Sequence, residues 1–218
     1  MKPQAIIFDM DGTLIDNNPY HIMAWQEFYK GLGRELTMEH YKKNMNGKIN
    51  REIFEEIFSR KLTPEELADH IDRKESLYRK LYEPHIAPRS GLMDLLQSIS
   101  AENIPMAVAT SGLPVNIQFA FDRLSMRHYF EVVVDSTFIT KGKPNPEIYL
   151  KAAELVKADP AKCVAFEDAI AGIKAAKSAG MKVVALSTTH AHEDLGEADL
   201  VIKDYRDINL AQIESLLN

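Results

Sequence analysis

Ala5-Ile6-Ile7-Phe8-Asp9-Met10-Asp11-Gly12-Thr13 decides how the rest of this 218-residue chain is read. Four apolar residues run straight into two carboxylates separated by a single residue, and Gly12 follows at once. An unbroken apolar run of this kind predicts a buried strand of a parallel sheet. Ligands of open α/β sheets bind outside the carboxyl ends of the strands, so Asp9 and Asp11 would stand together at that mouth. Two like charges so close repel unless a cation lies between them or one takes a proton. Gly12 would let the chain turn sharply or approach a ligand with its backbone. An ordinary strand-to-turn junction is also rich in Asp and Gly, so the stretch alone leaves both readings open.

Composition narrows the frame. The length suits one large domain or one domain carrying a smaller insert. Hydrophobic content of 45% and charged content of 27% are those of a globular protein. A formal net charge of -6 argues against nucleic acid as the partner, since such binding rests on basic patches. The single cysteine, Cys163, lies in the apolar run Cys163-Val164-Ala165-Phe166, so no disulfide framework is possible and a reducing cytoplasm fits. Met1-Lys2-Pro3-Gln4 leads directly into the first strand, so the expectation is a chain without a signal peptide. No apolar stretch approaches the ~18 residues that a membrane span needs. The chain is expected to be a monomer with no membrane partner.

Two kinds of text follow the opening strand. From 17 to 86 the pattern is helical and interrupted. Pro19 opens a helix on which His21, Trp25, Phe28 and Tyr29 recur at helical spacing, and Gly31 and Gly33 break it. Thr37 is a plausible N-cap for a short helix ending at Gly47. Residues 49–58 carry apolar residues at 49, 53, 54, 57 and 58. Thr63-Pro64-Glu65-Glu66 is a capping box opening a helix to about Tyr82. From 87 to 218 apolar runs alternate with amphipathic helices, the grammar of βαβ units. The runs are 106–109, 132–134, 164–166, 183–186 and 200–202. Asn145-Pro146 reads as N-cap and first turn of one helix, and Asp168 as the cap of another ending at Gly180. The expectation is a Rossmann-like parallel sheet of about six strands, built from 1–16 and 87–218, with an all-helical domain, 17–86, inserted through a hinge.

What ends each strand is the informative part. The first strand ends in Asp9 and Asp11, the second run in Thr110-Ser111-Gly112. The third leads to Lys141-Gly142-Lys143-Pro144, and the fourth ends in Glu167-Asp168. Carboxylates suit Mg²⁺, a hard cation that prefers oxygen ligands. A hydroxyl and backbone N–H groups at Thr110-Ser111 could cradle phosphate oxygens, and a lysine supplies a compact positive charge. Singly these are a turn, a helix N-terminus and a surface lysine. Four such pieces at four strand ends in this order point to a metal–phosphate site.

With these motifs the sequence resembles the haloacid-dehalogenase superfamily, in its β-phosphoglucomutase-like branch with a small helical cap. The resemblance covers essentially the whole chain: Asp9-Met10-Asp11-Gly12-Thr13, Thr110, Lys143 in Lys-Pro-Asn-Pro-Glu, and Glu167-Asp168 match its four motifs. It implies that Asp9 is the nucleophile, forming an aspartyl-phosphate, and that Asp11 is general acid and then base. It implies that Asp9, the backbone carbonyl of Asp11 and Asp168 ligate Mg²⁺, with Glu167 direct or through water, while Thr110, Ser111 and Lys143 hold phosphate. His21, Gly47, Arg51 and Lys74 become the candidate substrate contacts of the cap, Arg51 only with a one-residue insertion. The pair His190 and His192 reads as loop residues.

The expected activity is a Mg²⁺-dependent phosphatase of small phosphorylated metabolites, sugar phosphates foremost. The mutase carries Ser and Asn after its second motif, where this chain has Gly112 and Pro114, and proline offers no N–H. β-Phosphoglucomutase, inorganic pyrophosphatase and, from another class, a catalytically silent protein that binds a phosphorylated ligand are the alternatives.

Overall fold

In the computed structural model, which describes residues 1–45 and 50–218, strand β1 (Ala5–Phe8) leads into four helices. These are α1 (Asn18–Gly31), α2 (Met38–Asn44), α3 (Asn50–Phe58) and α4 (Pro64–Tyr82). Strands and helices then alternate. Helix α5 (Leu92–Ala101) precedes β2 (Met106–Ala109), and α6 (Pro114–Leu124) precedes β3 (Val132–Val134). Helix α7 (Glu147–Leu155) leads to β4 (Cys163–Glu167), α8 (Ile170–Ser178) to β5 (Lys182–Leu186), and β6 (Leu200–Ile202) is followed by α9 (Leu210–Ser215). The described residues form two compact units, Met1–Asp16 with Ala87–Asn218, and Asn17–Ile86.

All six strands are parallel, in the order β3-β2-β1-β4-β5-β6. Ile7 pairs with Ala107 on one side and Ala165 on the other. The chain builds outward from β1 through β2 to β3, then returns to β1's other edge for β4. That reversal makes the switch point at which doubly wound sheets bind ligands. β1, β2 and β4 are buried along their whole length, as a sheet covered on both faces requires. One face presents Ala5, Ile7, Ala107, Ala109 and Ala165 to Ile148, Ala152 and Ala153 of α7 and Ile173, Ala175 and Ala176 of α8. On the alternate positions, Phe8 stacks on Phe166 with ring centroids 4.9 Å apart and meets Phe130 edge-on at 6.0 Å. Each such pair adds about 0.5–1.5 kcal/mol beyond area burial.

The helical unit has its own core of Trp25, Phe28, Tyr29, Ile53, Phe54, Ile57 and Leu67. Thr63 and Glu66 form the reciprocal capping box at the start of α4. In the α/β unit, Ile15 and Pro88 form an isolated antiparallel bridge, so the chain leaves and re-enters that unit at one place. Arg89 reinforces this point, its amide donating to the Leu14 carbonyl and its guanidinium lying 3.1 Å from Asp16.

Two helix starts differ from the sequence reading. Helix α7 has Pro146 as its N-cap residue, while the Asn145 side chain accepts from the Glu147 amide at 3.0 Å. Helix α8 starts after Ala169 and carries no side-chain cap. Asp168 is turned away from it toward Thr13 and Thr189.

Candidate active site

The strand ends gather the α/β unit's predicted residues. Asp9 follows β1 directly, its amide donating to the Phe166 carbonyl at 2.9 Å, which ties β1's exit to β4. Gly12 turns the chain with φ of +78°, a left-handed conformation that costs glycine little. Its carbonyl accepts from Arg89 Nε and the Thr188 hydroxyl. Lys143 Nζ reaches back to donate to Asp9 Oδ1 and Glu167 Oε1, both at 2.6 Å, and to the Ala109 carbonyl at 3.2 Å. Thr110 is buried and its hydroxyl accepts from the Gly112 amide at 2.9 Å, whereas Ser111 is exposed. A Cβ at Gly112 would lie 3.1 Å from Thr110 Oγ1 and 3.6 Å from Asp11 Oδ2, so Asp11 and Thr110 flank the same turn.

Asp9, Glu167 and Asp168 are all buried, and one carboxylate oxygen from each lies within 4.8 Å of the others. One lysine lies among these three buried carboxylates and bonds two of them, Asp9 and Glu167. Burial, opposed by Lys143 and reinforced by Glu167, Asp168 and Asp11, pushes the Asp9 carboxyl well above the ordinary range. Burial and Glu167 push Asp168 up to about 7. Burial alone would lower the pKa of Lys143, but Asp9 and Glu167 outweigh it and hold the ammonium well above its usual value. An all-oxygen, buried, electron-rich cluster of this kind fits a hard divalent cation, which would offset the uncompensated charge.

In the helical unit, Lys74 Nζ donates to His21 Nδ1 at 2.8 Å and to Glu75 Oε1 at 3.0 Å, and Asn50 donates to the same Glu75 oxygen at 3.2 Å. Lys74 is buried and sits 5.0 Å from the Trp25 ring centroid, so it is no solvated helix charge. His21 stacks on Tyr78 at 3.7 Å. Burial first, and the Lys74 ammonium second, hold its imidazole well below the usual range. Arg51 is instead on the exposed side of α3, 3.7 Å from Glu55. Gly47 lies outside the described residues.

A family model for haloacid dehalogenase-like hydrolases matches residues 3–180. The chain belongs to that family. Among its relatives, the β-phosphoglucomutase of Bacillus subtilis is 34% identical over 216 residues, covering 95% of this chain and 92% of the relative. The fructose-1-phosphate phosphatase YqaB of Escherichia coli is 33% identical over 182 residues, covering 83% and 94%. A solved haloacid dehalogenase-family hydrolase, family IA variant 3, from Entamoeba histolytica superposes with a TM-score of 0.90 at 30% identity, covering 100% and 99%. The chain is therefore an enzyme of the haloacid dehalogenase-like class, and its Rossmann-like sheet is the fold expected of it.

Four residues of this haloacid dehalogenase-like site were not singled out from sequence. Tyr149 donates its hydroxyl to Glu167 Oε1 at 3.0 Å. Gly172 leaves the space that the Glu167 carboxylate fills. Thr189 hydrogen-bonds Asp168 Oδ2, and Thr13, inside the first motif, lies 3.4 Å from Asp168 Oδ1. Tyr149, Gly172 and Thr189 carry no spacing signal, because each is defined by its partner across the fold. Thr189 lies next to His190, yet neither His190 nor His192 enters the acidic group among the described residues. Cys163 is buried, and burial pushes its thiol up to about 11, a core residue and not a nucleophile.

Proposed function

We propose that this chain is a Mg²⁺-dependent phosphatase of small phosphorylated metabolites, sugar phosphates foremost, acting through an aspartyl-phosphate on Asp9. The observation that carries this reading is Lys143 Nζ at 2.6 Å from both Asp9 and Glu167, within a buried carboxylate cluster. A carboxylate nucleophile attacking an anionic phosphoryl group needs positive charge beside it. Asp9, the Asp11 backbone carbonyl and Asp168, with Glu167 beside them, would hold Mg²⁺, which supplies charge neutralisation at the transferring phosphoryl group.

Asp9 attacks phosphorus while the bond to the leaving oxygen breaks, and Asp11 gives that oxygen a proton. Asp11, now a carboxylate, takes a proton from water as the water attacks phosphorus. The bond to Asp9 breaks and inorganic phosphate leaves. Lys143, Thr110 and Ser111 hold the phosphoryl oxygens. Splitting the reaction in two avoids one difficult step. The helical unit, with His21 and Lys74, is the proposed cap that selects the organic part of the substrate. Asp9, Asp11, Thr110, Lys143, Glu167 and Asp168 all belong to the one α/β unit, so the proposed chemistry asks for no second chain, and the proposed state is a monomer. No helix among the described residues is long and apolar enough to cross a membrane, and the lone buried Cys163 supports a reducing, cytoplasmic setting.

Water is favoured over a sugar as phosphoryl acceptor by the start of α6. Its N-cap residue is Leu113, with no side-chain cap bond, followed by Pro114 and the half-exposed Val115. The Gly112 amide is already taken by Thr110. Residues 112–115 therefore bring no side-chain donor to a second phosphate, which a mutase handling a bisphosphate must hold. The B. subtilis relative keeps mutase as the second reading. The test is the product ratio from β-glucose 1-phosphate with a catalytic amount of the bisphosphate. Free phosphate should predominate, and mostly glucose 6-phosphate would reverse the ranking.

A further inference from the structure

We propose that Tyr149 is a positioning residue of the site, whose hydroxyl fixes the Glu167 carboxylate and whose ring seats the Lys143 ammonium, so that the metal-binding carboxylates are set before any cation arrives. This rests on the metal-centre reading above. Tyr149 is fully buried on α7, six residues after Lys143. Its hydroxyl donates to Glu167 Oε1 at 3.0 Å, and Lys143 Nζ lies 5.0 Å from its ring centroid.

Glu167 is held at both oxygens. Oε2 accepts from the amides of Asp168 and Ala169, both at 2.9 Å. Oε1 accepts from Tyr149 and from Lys143. The amides pin one oxygen to the start of α8. The other depends on side chains, and of the two only tyrosine is rigid. The lysine is a mobile charge on a four-carbon stem, which a bound phosphate would also attract. Helix α8 contributes by omission: a Cβ at Gly172 would lie 1.7 Å from Glu167 Oε1, so only glycine leaves the carboxylate this position. Two elements thus shape one carboxylate, α7 by a donor and α8 by a gap. Groups that orient the ligands of a metal in this way typically govern its affinity by about 10- to 100-fold.

The test is calorimetric titration of Mg²⁺ into the full chain without substrate. Tyr149→Phe keeps the ring under Lys143 and removes only the hydroxyl. It should bind Mg²⁺ about tenfold more weakly than the wild-type chain. Gly172→Ala should weaken Mg²⁺ binding by a different route, by pushing Oε1 away. A merely structural role would lower the metal-free unfolding midpoint of Tyr149→Phe and leave its Mg²⁺ Kd at the wild-type value. That result overturns the proposal and spares the metal-centre reading. A wild-type chain that takes up no Mg²⁺ overturns both.

Discussion

Lys143 and His21 show what a residue's neighbours do to its chemistry. Lys143 in sequence is one lysine among many, and its position a few residues after a strand made it a candidate. Its role as the buried partner of two carboxylates depends on β1, β4 and α7 meeting. Asp9 and Asp168 were legible because an apolar run announces the strand whose end they occupy. Tyr149 and Gly172 were not, since a tyrosine and a glycine on helices pack in many ways, and only the fold brings them to Glu167. His21 carries a residue-scale prediction. Folding holds its imidazole neutral, with a pKa well below the ordinary 6.5. As pH falls through about 6.5, the unfolded chain takes up a proton that the folded chain refuses. The His21 contribution to stability should therefore be lost from about 6.5 downward and be flat above it. Urea unfolding followed by Trp25, the chain's one tryptophan and a member of the helical unit's core, should show wild type losing ground to His21→Asn between pH 7 and 5.5. A wild-type-to-variant difference that does not change with pH would contradict it.

Among the elements, those with chemical punctuation were the easiest to read. Thr63-Pro64-Glu65-Glu66 predicts a helix start from local bonds alone, and those bonds are present: Thr63 N to Glu66 Oε2 at 2.9 Å and Glu66 N to Thr63 Oγ1 at 3.2 Å. Thr63→Ala should cost about 1 kcal/mol, read as a lower urea midpoint of the Trp25 signal with activity at saturating substrate unchanged. An unchanged midpoint would mean that α4 is held by packing without its cap. Asp168 at the start of α8 is the opposite case. By composition it reads as a cap, because Asp before a helix satisfies free amides. Tertiary partners won instead: Thr13 and Thr189 take the Asp168 side chain, while Glu167 accepts the amides of Asp168 and Ala169. A local rule failed where the side chain is needed by a site.

At the scale of the whole molecule, alternation of apolar runs and helices was enough to predict a parallel sheet. The strand order β3-β2-β1-β4-β5-β6 was not readable, since nothing local tells β4 to return beside β1. That return places Asp9 between the strand carrying Thr110 and the strand carrying Glu167, with Asp168 following it, and the proposed reaction depends on it. The most direct test is a single-turnover experiment. The chain is mixed with Mg²⁺ and a hexose phosphate labelled in its phosphoryl group, quenched in acid, and digested to locate the label. The label should appear transiently on the peptide containing Asp9, fall as free phosphate rises, and be missing with Asp9→Asn, which should also lose turnover. Label on a different residue, or wild-type turnover by a contamination-free Asp9→Asn chain, would contradict the account.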